Sequence, residues 1–136
     1  MNFEDFIRSG IARKATGDKS LIKSFTNSSE EDLVFLRTLE LTEISARKIM
    51  SNYYDVLRAV LEALALFKGY KIYSHEAFTF FLEYIDEKKL SEQFERFRKI
   101  RNKINYYGAS ISVDESKDHV KKMELLITKL KDKYFR

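Results

Sequence analysis

The sequence predicts an all-α fold, an antiparallel up-and-down bundle of four to five helices, and three observations lead there. There is no proline and only 4 glycines in 136 residues, so turn-rich sandwich folds lack the residues that build their turns. Apolar residues recur three and four apart through most of the chain, the period of one helix face. The breaks between those stretches are short, as in bundles with tight connections. A chain of this length suits one domain, 1–136, and can bury a core.

Residues 3–15 place Phe3, Phe6, Ile7 and Ile11 at helical spacing, and Gly10 weakens the pattern, so a short or frayed helix is expected within 1–17. Gly17-Asp18 supplies a break and an N-cap for the next helix. Within 18–40, Ser28 with Glu31 and Ser29 with Asp32 offer capping boxes for a restart. One long helix, kinked or not, is preferred over two.

Thr42 to Lys68 carries the strongest pattern. Ile49, Tyr53, Val56, Leu57, Val60, Leu61, Leu64 and Phe67 share a broad face, and Arg47, Ser51, Asp55, Arg58 and Glu62 form a narrow polar stripe opposite. Alanines at 59, 63 and 65 permit close helix packing. This helix is expected at the centre, with Gly69 ending it. Ser74 caps a following aromatic helix that runs through Phe78, Phe81 and Ile85. Glu87-Lys88-Lys89 separates it from a basic helix over Ser91 to Tyr107. Ser112 with Glu115 then opens a last helix whose face is Val120, Met123, Ile127, Leu130 and Tyr134.

The absence of cysteine excludes a disulfide framework and a thiolate metal site, and 2 histidines exclude a histidine-rich one. No metal or cofactor is expected. Asn2-Phe3-Glu4-Asp5 lacks the basic start and apolar run of a signal peptide, and Glu62 interrupts the longest apolar stretch. A cytoplasmic protein without a membrane segment is expected. The net charge of +4 divides unevenly: +2 over 1–27, −5 over 28–87 and +7 over 88–136. Such segregation suits an anionic partner, or two copies docking acidic surface on basic surface.

The basic third centres on Arg96 to Gly108, where five of the eight residues from Arg96 to Lys103 are basic. On a helical wheel Leu90, Phe94, Phe97, Ile100, Ile104 and Tyr107 fill an arc of about 140°. Arg96, Lys99 and Lys103 fall outside it, while Arg101 falls inside, with Asn105 one turn on and Arg98 and Asn102 at the border. An inward guanidinium keeps its charge and needs a carboxylate, carbonyl or phosphate. Asp55 and Glu62 are the candidate carboxylates within the chain, though Glu62 also has Arg58 one turn before it for an intrahelical pair. His75, at a helix start, and His119, at the edge of the last helix face, lack the sequence pairing of a general base.

Arg101-Asn102-Lys103-Ile104-Asn105-Tyr106 resembles the signature of HEPN domains (higher eukaryotes and prokaryotes nucleotide-binding). That signature is an arginine, commonly followed by asparagine, with a histidine four to six residues later. Tyr54 to Arg58, Glu62 to Leu64, Lys68 to Lys71 and Ser74 to Glu76 are similar to the central helix and following turn of small HEPN proteins. The resemblance covers roughly 18–135 and is concentrated in 53–76 and 98–108.

It implies a helical homodimer whose signature helices line a cleft. Family members include metal-independent ribonuclease toxins, often paired with a small nucleotidyltransferase antitoxin, and nucleotide binders. Carried over by position, Arg101 becomes an anion contact with Asn102 beside it, and Arg98, Asn105, Tyr106 and Tyr107 flank it. Glu62 and His75 are supporting residues. Tyr106 stands where the signature has histidine, so the catalytic histidine does not carry over. An ordinary tyrosine ionises near ~10 and is a poor base at neutral pH, but it can hydrogen-bond a phosphate or stack on a base. If catalysis exists, Arg101 and Tyr106 are its candidates. Three functions follow: an RNA- or nucleotide-binding dimer, a metal-independent ribonuclease toxin, or a non-catalytic dimerisation and docking module.

Overall fold

The computed structural model describes residues 1–136 and is mostly helical, with one small sheet. Six helices form, α1 (Phe3–Arg8), α2 (Lys19–Arg37), α3 (Ala46–Phe67), α4 (His75–Tyr84), α5 (Lys88–Tyr106) and α6 (Val113–Tyr134). The sheet pairs β1 (Ala12–Lys14) with β2 (Tyr70–Ile72).

The caps follow the local chemistry. Asn2 and Asp5 form a reciprocal capping box on α1. Asp18, Ser74 and Ser112 accept from the backbone N–H of Leu21, Ala77 and Glu115 to start α2, α4 and α6. Residues 18–40 contain a single helix, because the restart signals go unused. The Ser28 hydroxyl donates to the carbonyls of Ser24 and Phe25, and the Ser29 hydroxyl to that of Thr26. Before α3, Thr42 and Ser45 bond each other's backbone N–H, and this turn holds back the helix start until Ala46.

The short helix expected within 1–17 forms as α1, and Gly10 at φ +80° ends it and turns the chain into β1, a strand that was not expected. Arg13 then pairs with Lys71 in an antiparallel register, with Ala12 opposite Ile72. Those partners lie almost sixty residues apart in the chain, so periodicity within either segment cannot show the pairing. The helix count rises to six for the same reason, since α1 is a short element with Phe3 and Phe6 buried. The basic helix also starts earlier, at Lys88, and seats Leu90 and Ser91 in the interior.

Side-chain pairs give the helix directions. Lys131 meets Glu30 at 2.6 Å and Arg37 meets Glu124 at 3.0 Å, so α2 and α6 run opposite ways. The hydroxyl of Ser51 donates to Asn105, and Asp55 faces Arg101, so α3 and α5 also oppose. His119 packs edge-on against Phe97, while Glu87, at the start of α5, accepts from Tyr134 near the end of α6.

Helix α3 is the centre. Its apolar face is fully buried from Ile49 to Leu66, and Ala63 and Ala65 are wholly inaccessible. Tyr54, Phe78 and Phe94 join α3, α4 and α5 through ring contacts. Phe3, Tyr70, Phe81 and Tyr84 form a second aromatic cluster that ties α1 and the sheet to α4. No helix is long and apolar enough to cross a membrane.

Gly69 ends α3 at φ +92°, and its carbonyl accepts from Ala15 N–H at 2.9 Å. A Cβ there would meet nothing closer than the Ala15 carbonyl at 3.7 Å, so the obstacle to a side chain is conformational rather than steric. Gly69→Ala is therefore expected to lower the unfolding free energy by about 1–2 kcal/mol. Urea denaturation measures it, and an unchanged midpoint would contradict this account of the turn.

Candidate anion-binding site

Helix α5 delivers Arg101 to the interior as its wheel position requires. The side chain is 15% exposed, and its guanidinium carbon lies 5.3 Å from the centre of the Tyr54 ring and 5.5 Å from that of Tyr106. One terminal nitrogen donates to the Tyr106 hydroxyl at 3.2 Å. The other stands 3.9 Å from Asp55 Oδ1, too far for a strong charge-assisted bond. The Nε is buried and has no partner. Two aromatic faces stabilise the cation, yet its hydrogen-bonding capacity is largely unspent.

Tyr54 is the residue the sequence reading passed over. It is inaccessible, on the apolar side of α3, and its hydroxyl lies 3.0 Å from His75 Nδ1 at the start of α4. Burial pushes its phenol well above the usual tyrosine range. Its signal in the sequence is its place at the head of the Tyr54-to-Arg58 stretch, which assigns it no role of its own. The tyrosine ring thus separates a cation on one helix from an imidazole on another, and brings His75 into the arginine cluster through tertiary packing.

Burial lowers the pKa of His75 to about 4, helped by the nearby charges of Arg58, Arg101 and Arg98. The imidazole is neutral at pH 7. Arg98 itself is held by Glu95 at 2.6 Å.

Glu62 does not reach Arg101. It is buried between Arg58 at 3.3 Å and Lys71 at 3.2 Å, so of the two expected carboxylates only Asp55 approaches the guanidinium. Asn105 accepts from the Ser51 hydroxyl at 2.9 Å, while Asn102, half-buried beside Arg101, makes none of these contacts. Tyr106 is 67% exposed at the end of α5, and Tyr107 is 82% exposed. Tyr107 lies beyond the last turn, where Gly108 at φ +66° redirects the chain. His119 packs against Phe97, away from this group.

Beside Asp55 and Asn105 a polar depression of about 360 Å³ opens between α3 and α5. Arg47, Lys48, Ser51 and Asn52 complete its lining, and no apolar residue contributes. A groove of this size with two cations at its wall suits a phosphate-bearing ligand. No group of three or more His, Cys, Asp or Glu side chains is placed to hold a metal ion. Compared against protein-family models, curated proteins and solved structures, the chain matches none of them.

The position of His75 has a measurable consequence. Because its folded pKa lies below the ordinary value of 6.5, the unfolded chain takes up a proton between pH 6.5 and about 4 that the folded chain refuses. The stability tied to neutral His75 is present above pH 6.5 and is lost as pH falls toward 4. NMR titration of the imidazole is expected to show it neutral at pH 5.5. Urea midpoints are expected to fall from pH 7 to pH 4.5, less steeply in His75→Gln. An imidazole that titrates near 6.5 would contradict the buried geometry.

Proposed function

We propose that the protein is a HEPN-type helical bundle that binds RNA or a nucleotide at Arg101, acting as a homodimer whose α5 helices line a shared cleft. One observation carries the reading. Arg101 is a nearly buried guanidinium whose Nε is unpartnered and whose carboxylate neighbour stands 3.9 Å away, beside a polar groove that Arg47 and Lys48 line. Charge is kept here without being neutralised, and an anionic ligand would neutralise it. Tyr106 and Tyr107, both exposed, offer the stacking faces that unpaired bases use. The resemblance of 98–108 to the HEPN signature supports the same assignment, as does the +7 charge of residues 88–136. A small nucleotidyltransferase is the protein partner this reading favours, in the arrangement of a toxin–antitoxin pair.

Metal-independent RNA cleavage is the second reading, and one observation favours it. His75 stands in the arginine cluster through Tyr54, although it lies outside the signature. With a pKa of about 4 it is a weak base and no acid at pH 7, and Tyr106 replaces the signature histidine. Binding is therefore the preferred function.

Arg101→Ala is expected to reduce affinity for oligouridine by tenfold or more while the helical circular-dichroism spectrum is kept. Arg101→Lys, which keeps the charge but loses the planar fork, is expected to fall between. Wild-type affinity should decline with salt as phosphate contacts are lost. Affinity unchanged in Arg101→Ala would sink the assignment. RNA incubated with the protein in EDTA is expected to stay intact from pH 5 to 9, and cleavage lost in His75→Gln would establish the second reading instead.

A further inference from the structure

The polar stripe of α3 links the Arg101 group to a second cluster on the sheet. Asp55, Arg58 and Glu62 are spaced three and four apart, so they stand in one row along the helix. Arg101 meets the row at Asp55, and Lys71 of β2 meets it at Glu62. The seven-residue step from Asp55 to Glu62 spans about 10 Å of helix. Beyond Lys71 the row continues on the sheet.

Arg13 and Lys71 are cross-strand partners, and Tyr73 lies two residues after Lys71, so all three project from one face while Ala12 and Ile72 enter the core. Both cations sit over the Tyr73 ring, Arg13 at 5.2 Å and Lys71 at 6.0 Å from its centre. Tyr73 is 61% exposed. Lys71 also pairs with buried Glu62, while Arg13 and Tyr73 are exposed and serve no core contact.

We infer that single-stranded RNA follows this row, from Tyr106 and Arg101 past Arg58 and Lys71 to Tyr73 and Arg13. The inference rests on the reading of Arg101 as an RNA contact and extends it from one nucleotide to a strand. Cations spaced along a ridge with an exposed aromatic at each end are the arrangement that follows a phosphate backbone and stacks its bases. The bases of a duplex are already stacked on one another, so Tyr73 and Tyr106 have no partner there. Three carboxylates also lie along this path against its four cations, Arg101, Arg58, Lys71 and Arg13, so a single net positive charge remains. Glu62 is neutralised between Arg58 and Lys71, Asp55 faces Arg101 at 3.9 Å, and Glu76 lies on the exposed first turn of α4 beside His75.

The test uses the full chain with a dodecamer of oligouridine and the uridine dinucleotide as probes, in wild type, Arg101→Ala, Tyr73→Ala and Arg13→Gln. Thermal melting controls for folding, and both sheet positions are exposed enough to be substituted without opening the core. Tyr73→Ala and Arg13→Gln are each expected to weaken the dodecamer about tenfold and to leave the dinucleotide unchanged. Arg101→Ala is expected to weaken both probes. If the sheet variants bind the dodecamer as wild type does while Arg101→Ala does not, the path is overturned and the Arg101 site stands. If the sheet variants lose binding and Arg101→Ala keeps it, the Arg101 reading fails and the path from Arg101 is overturned with it, leaving the sheet cluster alone as the contact. No binding by wild type overturns both, and equal retention of an RNA duplex overturns the single-strand assignment.

Discussion

Helix α3 leaves one narrow strip of its circumference free of apolar packing, and the charged residues on that strip must find partners from whatever lies alongside. Glu62 is buried and takes Arg58 and Lys71. Both cations meet the same buried carboxylate, so the sheet that supplies Lys71 is tied to α3 by charge. Ser51 and Asp55 anchor Asn105 and Arg101 of α5 further along the same strip. These contacts set what Asn105 and Arg101 face, while the buried faces of α3 and α5 set how the two helices pack.

Arg101 and His75 show how one cluster treats two nitrogen groups differently. The guanidinium cannot lose its proton, so burial leaves it charged and held by ring faces. The imidazole can, so burial and three neighbouring arginines leave it neutral. Tyr54 separates them, facing one with its ring and meeting the other with its hydroxyl. A site arranged this way concentrates positive potential without offering a strong base, which suits binding more than proton transfer.

Much of the helical layout was legible because its signals are local. The cap at Asp18 depends on the backbone N–H three residues away, and the cap at Ser74 likewise. The stop at Gly69 depends on its own φ. Arg101 could be placed inward from the wheel alone. The sheet was not legible, since β1 and β2 have three residues each and neither carries a period long enough to read. The role of Tyr54 was not legible, because a buried aromatic on α3 reads as an ordinary core residue.

The sequence by itself determined the mostly helical character, the central place of the helix read over 42–68, the inward arginine and the charge division, because each depends on residues within a few turns of one another. Tertiary structure alone decided that Asp55 rather than Glu62 faces Arg101, that His75 joins the arginines through Tyr54, and that Arg13 and Tyr73 extend the basic row. Those are meetings between separate elements, and the geometry of a pair from different helices is set by how their buried faces pack. For the same reason the basic helix was legible as a local pattern, while the groove beside it appears only where the polar strip of α3 lies against it.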